Sequence, residues 1–545
     1  MTSTTAKAAE LLRQGRTADI WQTYCGFIEF TPDEFMHIQR RLLLEQLELL
    51  QSSALGRRLL CGHKPGTVEE FRAQVPLTTY HDYLPELADQ REDALPARPV
   101  TWVRTSGRTG EFPCKWVPVP KAFYDSLGHY FLATQILSGA RDRGHVNIAE
   151  DDVYLYTVAP PPYLSGTILR AGRDEFPFRF VPSIEEAEGM EFQARMARAF
   201  QLAMESGIDY FLGIGSVLIA LGEAFSKRSG SVQLSRDMLQ PAAIARMARG
   251  FLRSRLRGEP LQPRHFWNPK GITVGGMDVQ LYRKRIEELW GVGVFEGYGC
   301  TEFGNVAVQS WGGRSKGMVP SADCAFWEFM PEGEYQKWRQ DRSFQPVTYL
   351  TDELEPGLYV LVGTSLLGGV FVRYILGDLV RVLSTSDPEL GIHLPEIVVE
   401  SRVDDLIDLG SMVMLTERSL WQAFAYLDLP MSDWVARKET SQIEGPLIHL
   451  YIESENGRCD NLRSDLHGAL VDTMDDYRTT FGITQQNPVR VTVLTPGTFQ
   501  AYLEAKRQEG AELGHLKPPR MQPSDATMAR LTALSDAARN GHRQS

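Results

Sequence analysis

The sequence predicts a layered α/β protein: a large N-terminal part built of α/β layers, residues 1–400, and a small α+β domain, residues 401–545. Three observations lead there. Between residues 150 and 300 strand-like runs alternate with helical stretches; after residue 400 the pattern changes to short amphipathic strands mixed with helices; and no repeat of fixed period is evident, which sets aside a solenoid or propeller.

The elements follow in chain order. Residues 32–53 begin Pro-Asp-Glu-Phe and continue as a Leu-rich run with Phe35, Ile38, Leu42 and Leu49 on one side, the mark of an amphipathic helix docked on a core. A loop over 94–100 with Pro96 and Pro99 leads into the strand-like Thr101-Trp102-Val103. Then come a strand at Val153–Tyr156, a helix over 187–204, a strand at 210–214, helices over 216–227 and 278–289, and a strand at Val292–Phe295. Beyond the boundary, strands are expected at Leu447–Ile452 and Val489–Leu494, and helices over 416–427 and 461–478. The last twenty residues read as a short helix or a frayed tail.

Composition narrows the function classes. At 545 residues, with roughly 100–200 per domain, the chain has room for two to four domains; 43% hydrophobic and 23% charged residues are near the average for folded, water-soluble proteins. Asp plus Glu number 69 against 57 Lys plus Arg, a net charge of −12, which disfavours sequence-independent nucleic-acid binding but leaves room for a local basic pocket. The six cysteines form no C-x-x-C pair and no zinc-ligand spacing, in keeping with a reducing cytoplasm. Glu10, Arg13, Arg16 and Asp19 interrupt every apolar stretch of the first thirty residues, so no export signal is expected. The most membrane-like segment, Tyr210–Gly222, falls short of the roughly 20 residues that span a bilayer.

Four constellations carry potential chemistry. Thr105-Ser106-Gly107-Arg108-Thr109-Gly110, with Lys115 beyond it, follows a strand; glycines let successive N–H groups turn inward, and hydroxyls and a cation complete a phosphate cradle. The same hexapeptide also reads as an ordinary surface turn, and it is not a Walker loop. Tyr298-Gly299-Cys300-Thr301-Glu302 follows the strand at 292–296, offering an aromatic face and a carboxylate for Mg²⁺; Cys300 has no Cys/His/Asn signature around it and reads as a packed small residue. In Tyr374-Ile375-Leu376-Gly377-Asp378 the acid is an acceptor suited to the two hydroxyls of a ribose, or else part of a plain hairpin turn. Ser401-Arg402-Val403-Asp404-Asp405-Leu406-Ile407 lies at the domain boundary, as a hinge or a charged linker.

Together, and in this order, the four resemble the core motifs of the adenylate-forming superfamily: acyl-CoA synthetases, peptide-synthetase adenylation domains and firefly luciferase. Val75-Pro76-Leu77-Thr78-Thr79-Tyr80, Gly275-Gly276, the run Glu400–Gly410 and Gly510-Ala511-Glu512-Leu513-Gly514-His515-Leu516-Lys517-Pro518 look like the auxin-responsive acyl-acid amido synthetases, with phenylacetate-CoA-ligase-like enzymes as neighbours. The resemblance spans about residues 30–520. It implies the adenylate-forming fold with a mobile C-terminal domain, a phosphate loop of Thr105, Ser106, Gly107, Arg108, Thr109 and Gly110, and Gly275 and Gly276 beside the nucleotide. It further implies Tyr298 against adenine, Thr301 at the α-phosphate, Glu302 on Mg²⁺, Asp378 on the ribose, Asp404 as hinge, and Lys517 as the lysine of the adenylating pose. Arg108 stands where the loop usually has Ser or Thr, and Lys115 is set apart from the usual loop-lysine spacing, so its contact with phosphate is left open.

The expected activity is ATP- and Mg²⁺-dependent activation of a small carboxylic acid as its acyl adenylate, then transfer to an amine. A thiol acceptor, coenzyme A, and a catalytically silent nucleotide-binding module are the alternatives. The tyrosine- and proline-rich run Tyr154–Gly166 reads equally as acyl-pocket lining and as a rigid loop over the core. No nucleic acid, no membrane and no oligomer are expected.

Overall fold

Thr31 opens the long helix at the predicted place. In the computed structural model, which describes residues 5–105, 114–215, 218–219, 222–223, 240–275, 279–409, 413–427, 429, 431–441, 445–454, 461–482, 487–509 and 520–542, this helix runs Pro32–Ser52. Thr31 Oγ1 accepts from the Glu34 N–H and the Glu34 carboxylate accepts from the Thr31 N–H, a reciprocal cap of about 1 kcal/mol. The buried stripe is rotated from the expected one: Leu49 is exposed, and Gln39, Leu43, Gln46, Leu47 and Leu50 are buried beside Phe35. Two glutamines explain the difference. Gln39 donates to the carbonyls of Ala322 and Ala325, both at 2.6 Å, and accepts from the Trp327 N–H. Gln46 donates to Gly369 O at 2.7 Å and accepts from the Gly368 N–H. Buried amides satisfied in this way cost little, and a stripe counted on apolar residues passes over them.

The chain divides into two compact units, Met1–Val399 and Glu400–Ser545. In the first, β1 (Pro99–Arg104) and β2 (Trp116–Pro120) form an antiparallel ribbon. A seven-stranded sheet contains β3 (Val153–Leu155), β4 (Arg179–Val181), β5 (Tyr210–Ile214), β6 (Gly271–Gly275), β7 (Val294–Cys300), β8 (Gly304–Val308) and β9 (Val319–Pro320), in the spatial order β4-β3-β5-β6-β7-β8-β9. Neighbours are parallel from β4 through β7 and antiparallel from β7 to β9. Parallel neighbours need crossover connections, and the helices Leu164–Glu175, Pro241–Arg257 and Val279–Trp290 lie in those from β3 to β4, β5 to β6 and β6 to β7. The helix expected over 187–204 is two, Ile184–Glu188 and Phe192–Ser206, parted at Gly189. The helix Lys121–Gly139 packs closely on Leu164–Glu175: a Cβ at Gly128 would sit 2.6 Å from Ala171 O, and one at Gly172 2.3 Å from the Phe131 ring.

A second sheet in this unit has the order β10 (Ala325–Pro331), β11 (Gly357–Ser365), β12 (Tyr374–Ser384) and β13 (Glu396–Arg402). Phe303, Trp327, Phe371 and Tyr374 belong to the apolar core between the sheets, Phe303 meeting Trp327 edge-on at 5.3 Å. Within that core Arg373 and Glu328 form a two-pronged ion pair, at 2.8 and 2.9 Å, and Arg373 also donates to the carbonyls of Arg72 and Val75, both at 2.7 Å.

In the second unit, β14 (Ile407–Asp408) and β15 (Met414–Leu415) pair antiparallel; β16 (Met431–Ser441) lies antiparallel to β17 (Gly445–Ser454), which lies parallel to β18 (Val489–Leu494). The helix expected over 461–478 ends at Thr473 and resumes as a short turn and a π-helical turn to Gly482. The C-terminal stretch Asp525–His542 is a helix whose Met528 and Leu531 join Val435, Leu494, Phe499 and Tyr502 in a core. The expected helix over 216–227 lies largely outside the described residues. Among those described, no helix is long and apolar enough to cross a membrane.

Candidate active site

The ribbon β1–β2 sets the neck of the predicted phosphate loop. Its register ends on Arg104 opposite Trp116. One step further the Thr105 N–H donates to Lys115 O, and the Lys115 N–H donates to Thr105 Oγ1, both at 3.0 Å. The hydroxyl of Thr105 therefore closes the neck. Ser106, Gly107, Arg108, Thr109 and Gly110 lie outside the described residues, as do Gly276 and Lys517.

Lys115 is seated on two tyrosines that sequence reasoning left without a role. Its Nζ lies 5.4 Å from the Tyr80 ring centroid and 3.3 Å from the Tyr374 hydroxyl, within the range where a ring face attracts a cation. Tyr80 is fixed by its hydroxyl, which accepts the Trp116 N–H at 2.8 Å. Burial, reinforced by the neighbouring Cys114 and Glu302, pushes its phenol up to about 12. Tyr374 is fixed by backbone: Thr78 N–H donates to Arg373 O, Ile375 N–H donates to Thr78 O, and Thr78 Oγ1 donates to Val372 O at 2.6 Å. The motif Val75–Tyr80 thus runs alongside the start of β12. The visible signal for this seat was the pair of aromatics standing inside two of the sequence motifs.

Tyr298 lies inside β7 rather than after it, because the strand extends to Cys300; Thr301 and Glu302 occupy the turn that follows. Asp378 likewise lies within β12, not in a hairpin. The pairing skips from Val360–Leu379 to Val362–Ile375, so Leu376, Gly377 and Asp378 bulge opposite Leu361, with Gly377 at φ +79°. A bulge re-aims side chains, and this one brings Asp378 to Tyr298, whose hydroxyl donates to it across 2.5 Å. Both are nearly buried, at 9% and 8% exposure, as is Glu302 at 9%.

Cys300 stands near both carboxylates. Burial, then the charges of Glu302 and Asp378, hold its thiol well above the usual range; this is a packed cysteine, not an activated nucleophile. Glu302 borders a recess lined by Val117, Phe123, Phe303, Leu366 and Phe371, so an acid faces an apolar hollow formed by the ribbon, the Phe303 turn and the approach to β12. Gly275 ends β6 one pair beyond Val274–Glu296, and a Cβ there would come no nearer than 3.9 Å to Gly297 O. The site lies at the carboxyl ends of β6 and β7, where open parallel sheets bind ligands. Asp404 belongs to the second unit, in a 3₁₀ turn directly after β13. Of the run Tyr154–Gly166, Tyr154 and Tyr156 are buried in the core, while Tyr163 reaches Arg104 beside the loop neck.

Among the described residues no three His, Cys, Asp or Glu side chains cluster as a self-sufficient metal site. A single nearly buried carboxylate suits Mg²⁺, which takes one or two protein carboxylates and completes its shell with phosphate and water. Glu302 meets that requirement.

Comparison with known proteins bears on the fold. Residues 26–165 match the GH3 family N-terminal domain. No curated protein matches the chain in sequence. Among solved structures, the GH3.15 acyl acid amido synthetase in complex with 2,4-DB superposes with a TM-score of 0.63 at 15% identity, over 91% of this chain and 93% of that one. 2-Hydroxyisobutyryl-CoA ligase, in the postadenylation state with 2-HIB-AMP, superposes with a TM-score of 0.55 at 14% identity, over 97% and 93%. Residues 26–165 are thus similar to the GH3 family N-terminal domain, and the chain shares the fold of these two solved structures.

Proposed function

We propose that this protein is an ATP-dependent ligase that converts a carboxylic acid to its acyl adenylate, releasing pyrophosphate, and passes the acyl group to an amine. The observation that carries the reading is the meeting of Tyr298 and Asp378, with Glu302 beside them, at the carboxyl ends of β6 and β7. A free carboxylate is a poor acyl donor, because its oxide is too basic to leave. Attack on the α-phosphate of ATP turns that oxide into AMP, which an amine displaces. Phosphoryl transfer asks for in-line placement and neutralised charge more than for an acid–base residue.

In this reading the Tyr298 ring faces adenine and the Asp378 carboxylate, which has more lone pairs than Tyr298 uses, accepts from the ribose. The loop after Thr105 and the Thr301 hydroxyl hold phosphate, and Gly275 and Gly276 allow close approach. Mg²⁺ held by Glu302 and phosphate oxygens would offset the charge of the leaving pyrophosphate. Residues 401–545 act as the mobile part, turning near Asp404 and bringing Lys517 to the reacting groups.

Coenzyme A is the second reading for the acceptor, because the same fold serves a CoA ligase among the comparison structures; the run Glu400–Gly410 favours the amine. The test is carboxylate-dependent exchange of labelled pyrophosphate into ATP. Exchange with at least one acid, lowered at least tenfold in Glu302→Gln, the scale of about 1.4 kcal/mol or more, supports the ligase; absence of wild-type exchange across a broad acid panel means a silent nucleotide-binding module. Products formed with amino acids or with coenzyme A then separate the two acceptors.

A further inference from the structure

β1 ends on Arg104, immediately before the loop neck. Its backbone N–H donates to Pro162 O at 2.9 Å. Its guanidinium lies over the Tyr163 ring, 5.0 Å from the centroid, and one terminal nitrogen donates to the Tyr163 hydroxyl at 3.2 Å. The residue is half-buried, and its Nε is sealed from solvent with no hydrogen-bond partner. Among the described residues no carboxylate lies within ion-pair distance of it.

Three other shielded arginines of this unit have a carboxylate partner, while the fully buried Arg195 donates to Met190 O and also has an unpartnered Nε. Arg373 and Arg72 face Glu328, and Arg283 faces Glu296 at 2.5 Å; Arg246 instead spends its charge on the carbonyls of Ala203 and Met204. With no counter-ion for it among the described residues, a half-buried guanidinium favours the arrival of an anion. Tyr163 is also the residue that precedes the helix Leu164–Glu175, whose start has no side-chain cap, so the positive end of a helix adds to the charge of the guanidinium. The ring beneath fixes the guanidinium plane, which leaves an N–H edge suited to a two-pronged contact with a carboxylate.

We propose that Arg104, backed by Tyr163, receives the carboxylate of the acid to be activated. This rests on the ligase reading above. It also supplies what that reading lacks: a carboxylate must approach an anionic α-phosphate, and Arg104 stands one residue from the loop assigned to phosphate, where a cation offsets the repulsion between them. Its ligand class is a monocarboxylate whose remaining body lies away from the guanidinium edge.

The experiment is steady-state pyrophosphate exchange by the full-length wild type, Arg104→Gln and Arg104→Lys, over a panel of aliphatic and aromatic monocarboxylates, varying acid and ATP separately. Loss of a charged hydrogen-bonding partner predicts an acid KM raised about tenfold or more in Arg104→Gln. ATP KM stays within about twofold and Arg104→Lys recovers part of the loss, because a point charge replaces the fork. Unchanged thermal unfolding of the variants excludes a folding defect. An unchanged acid KM overturns the inference and leaves the ligase standing. A rise confined to ATP makes Arg104 a phosphate contact, and normal exchange with impaired acceptor transfer makes it an acceptor contact; either result overturns the inference. Absence of wild-type exchange with every acid overturns both readings together.

Discussion

Tyr298 donates its phenolic hydrogen to Asp378 across 2.5 Å, joining the end of β7 to the bulge of β12, two strands of different sheets. In the proposed reading this bond sets an aromatic face and a diol acceptor beside one nucleoside. Tyr298→Phe keeps the face and releases the acid; Asp378→Asn keeps the bulge and removes the charge. Asp378→Asn is expected to raise the ATP KM in pyrophosphate exchange more than Tyr298→Phe, which loses one charge-assisted hydrogen bond of roughly 1.5–3 kcal/mol. Because the two share one interaction, the double variant is expected to fall short of the sum of the singles by at least about 0.5 kcal/mol. Strict additivity would show that Tyr298 acts without Asp378.

How much of this was legible in the sequence depends on how each residue meets its partners. Tyr298, Glu302 and Asp378 stand inside short motifs, so their residue types and order announced them before any geometry was known. Their local setting did not: the strand at 292–296 runs on to Cys300, and the Gly-Asp pair makes a bulge instead of a hairpin, because tertiary pairing with β8 and β11 decides both. Arg373 and Glu328 were invisible, since a charged pair 45 positions apart leaves no periodic mark. Gln39 and Gln46 were hidden for the opposite reason: they sit at helical spacing, but as polar residues in an apolar count.

The Arg373–Glu328 pair gives an acid-dependent stability. Burial alone would push the Glu328 carboxyl up; the charge and hydrogen bonds of Arg373, with help from Thr348 and Arg72, outweigh it and hold the group below its ordinary 4.5. A depressed carboxyl contributes stability above its unfolded value and loses it as pH falls through the folded one. Glu328→Gln leaves Arg373 buried without its counter-charge, at a cost of about 3–5 kcal/mol near neutral pH. Urea unfolding of the two proteins is expected to show that gap at pH 7 and a narrowing of it below about pH 4.5. A gap independent of pH would mean that the carboxylate charge is not what stabilises the pair.

Cys300 offers a chemical readout of the same neighbourhood. With its thiol held up by burial and by Glu302 and Asp378, little thiolate exists at neutral pH. Cys61 is exposed. Iodoacetamide at pH 7.5, followed by peptide mass mapping, is expected to label Cys61 well before Cys300, and Cys300→Ser is expected to keep exchange within about tenfold of wild type, a loss under roughly 1.4 kcal/mol. Rapid labelling of Cys300, or loss of exchange in the serine variant, would return it to the list of reacting groups.

Gly377 tests whether the bulge itself matters. At φ +79° it occupies the left-handed region that a Cβ disfavours by roughly 1–2 kcal/mol. Gly391, at φ +68° and with open space where a Cβ would stand, carries the same backbone demand away from the residues assigned to the nucleotide. Alanine at either position is therefore expected to lower unfolding free energy by a similar amount, roughly 1–2 kcal/mol, and asparagine by less, because its side chain tolerates that region. The two part company in pyrophosphate exchange. Gly377→Ala shifts Asp378 relative to Tyr298 and raises the ATP KM, whereas Gly391→Ala leaves it unchanged. Equal effects of the two substitutions on exchange would mean that activity follows general stability, and that the bulge in β12 has no part in placing the acid.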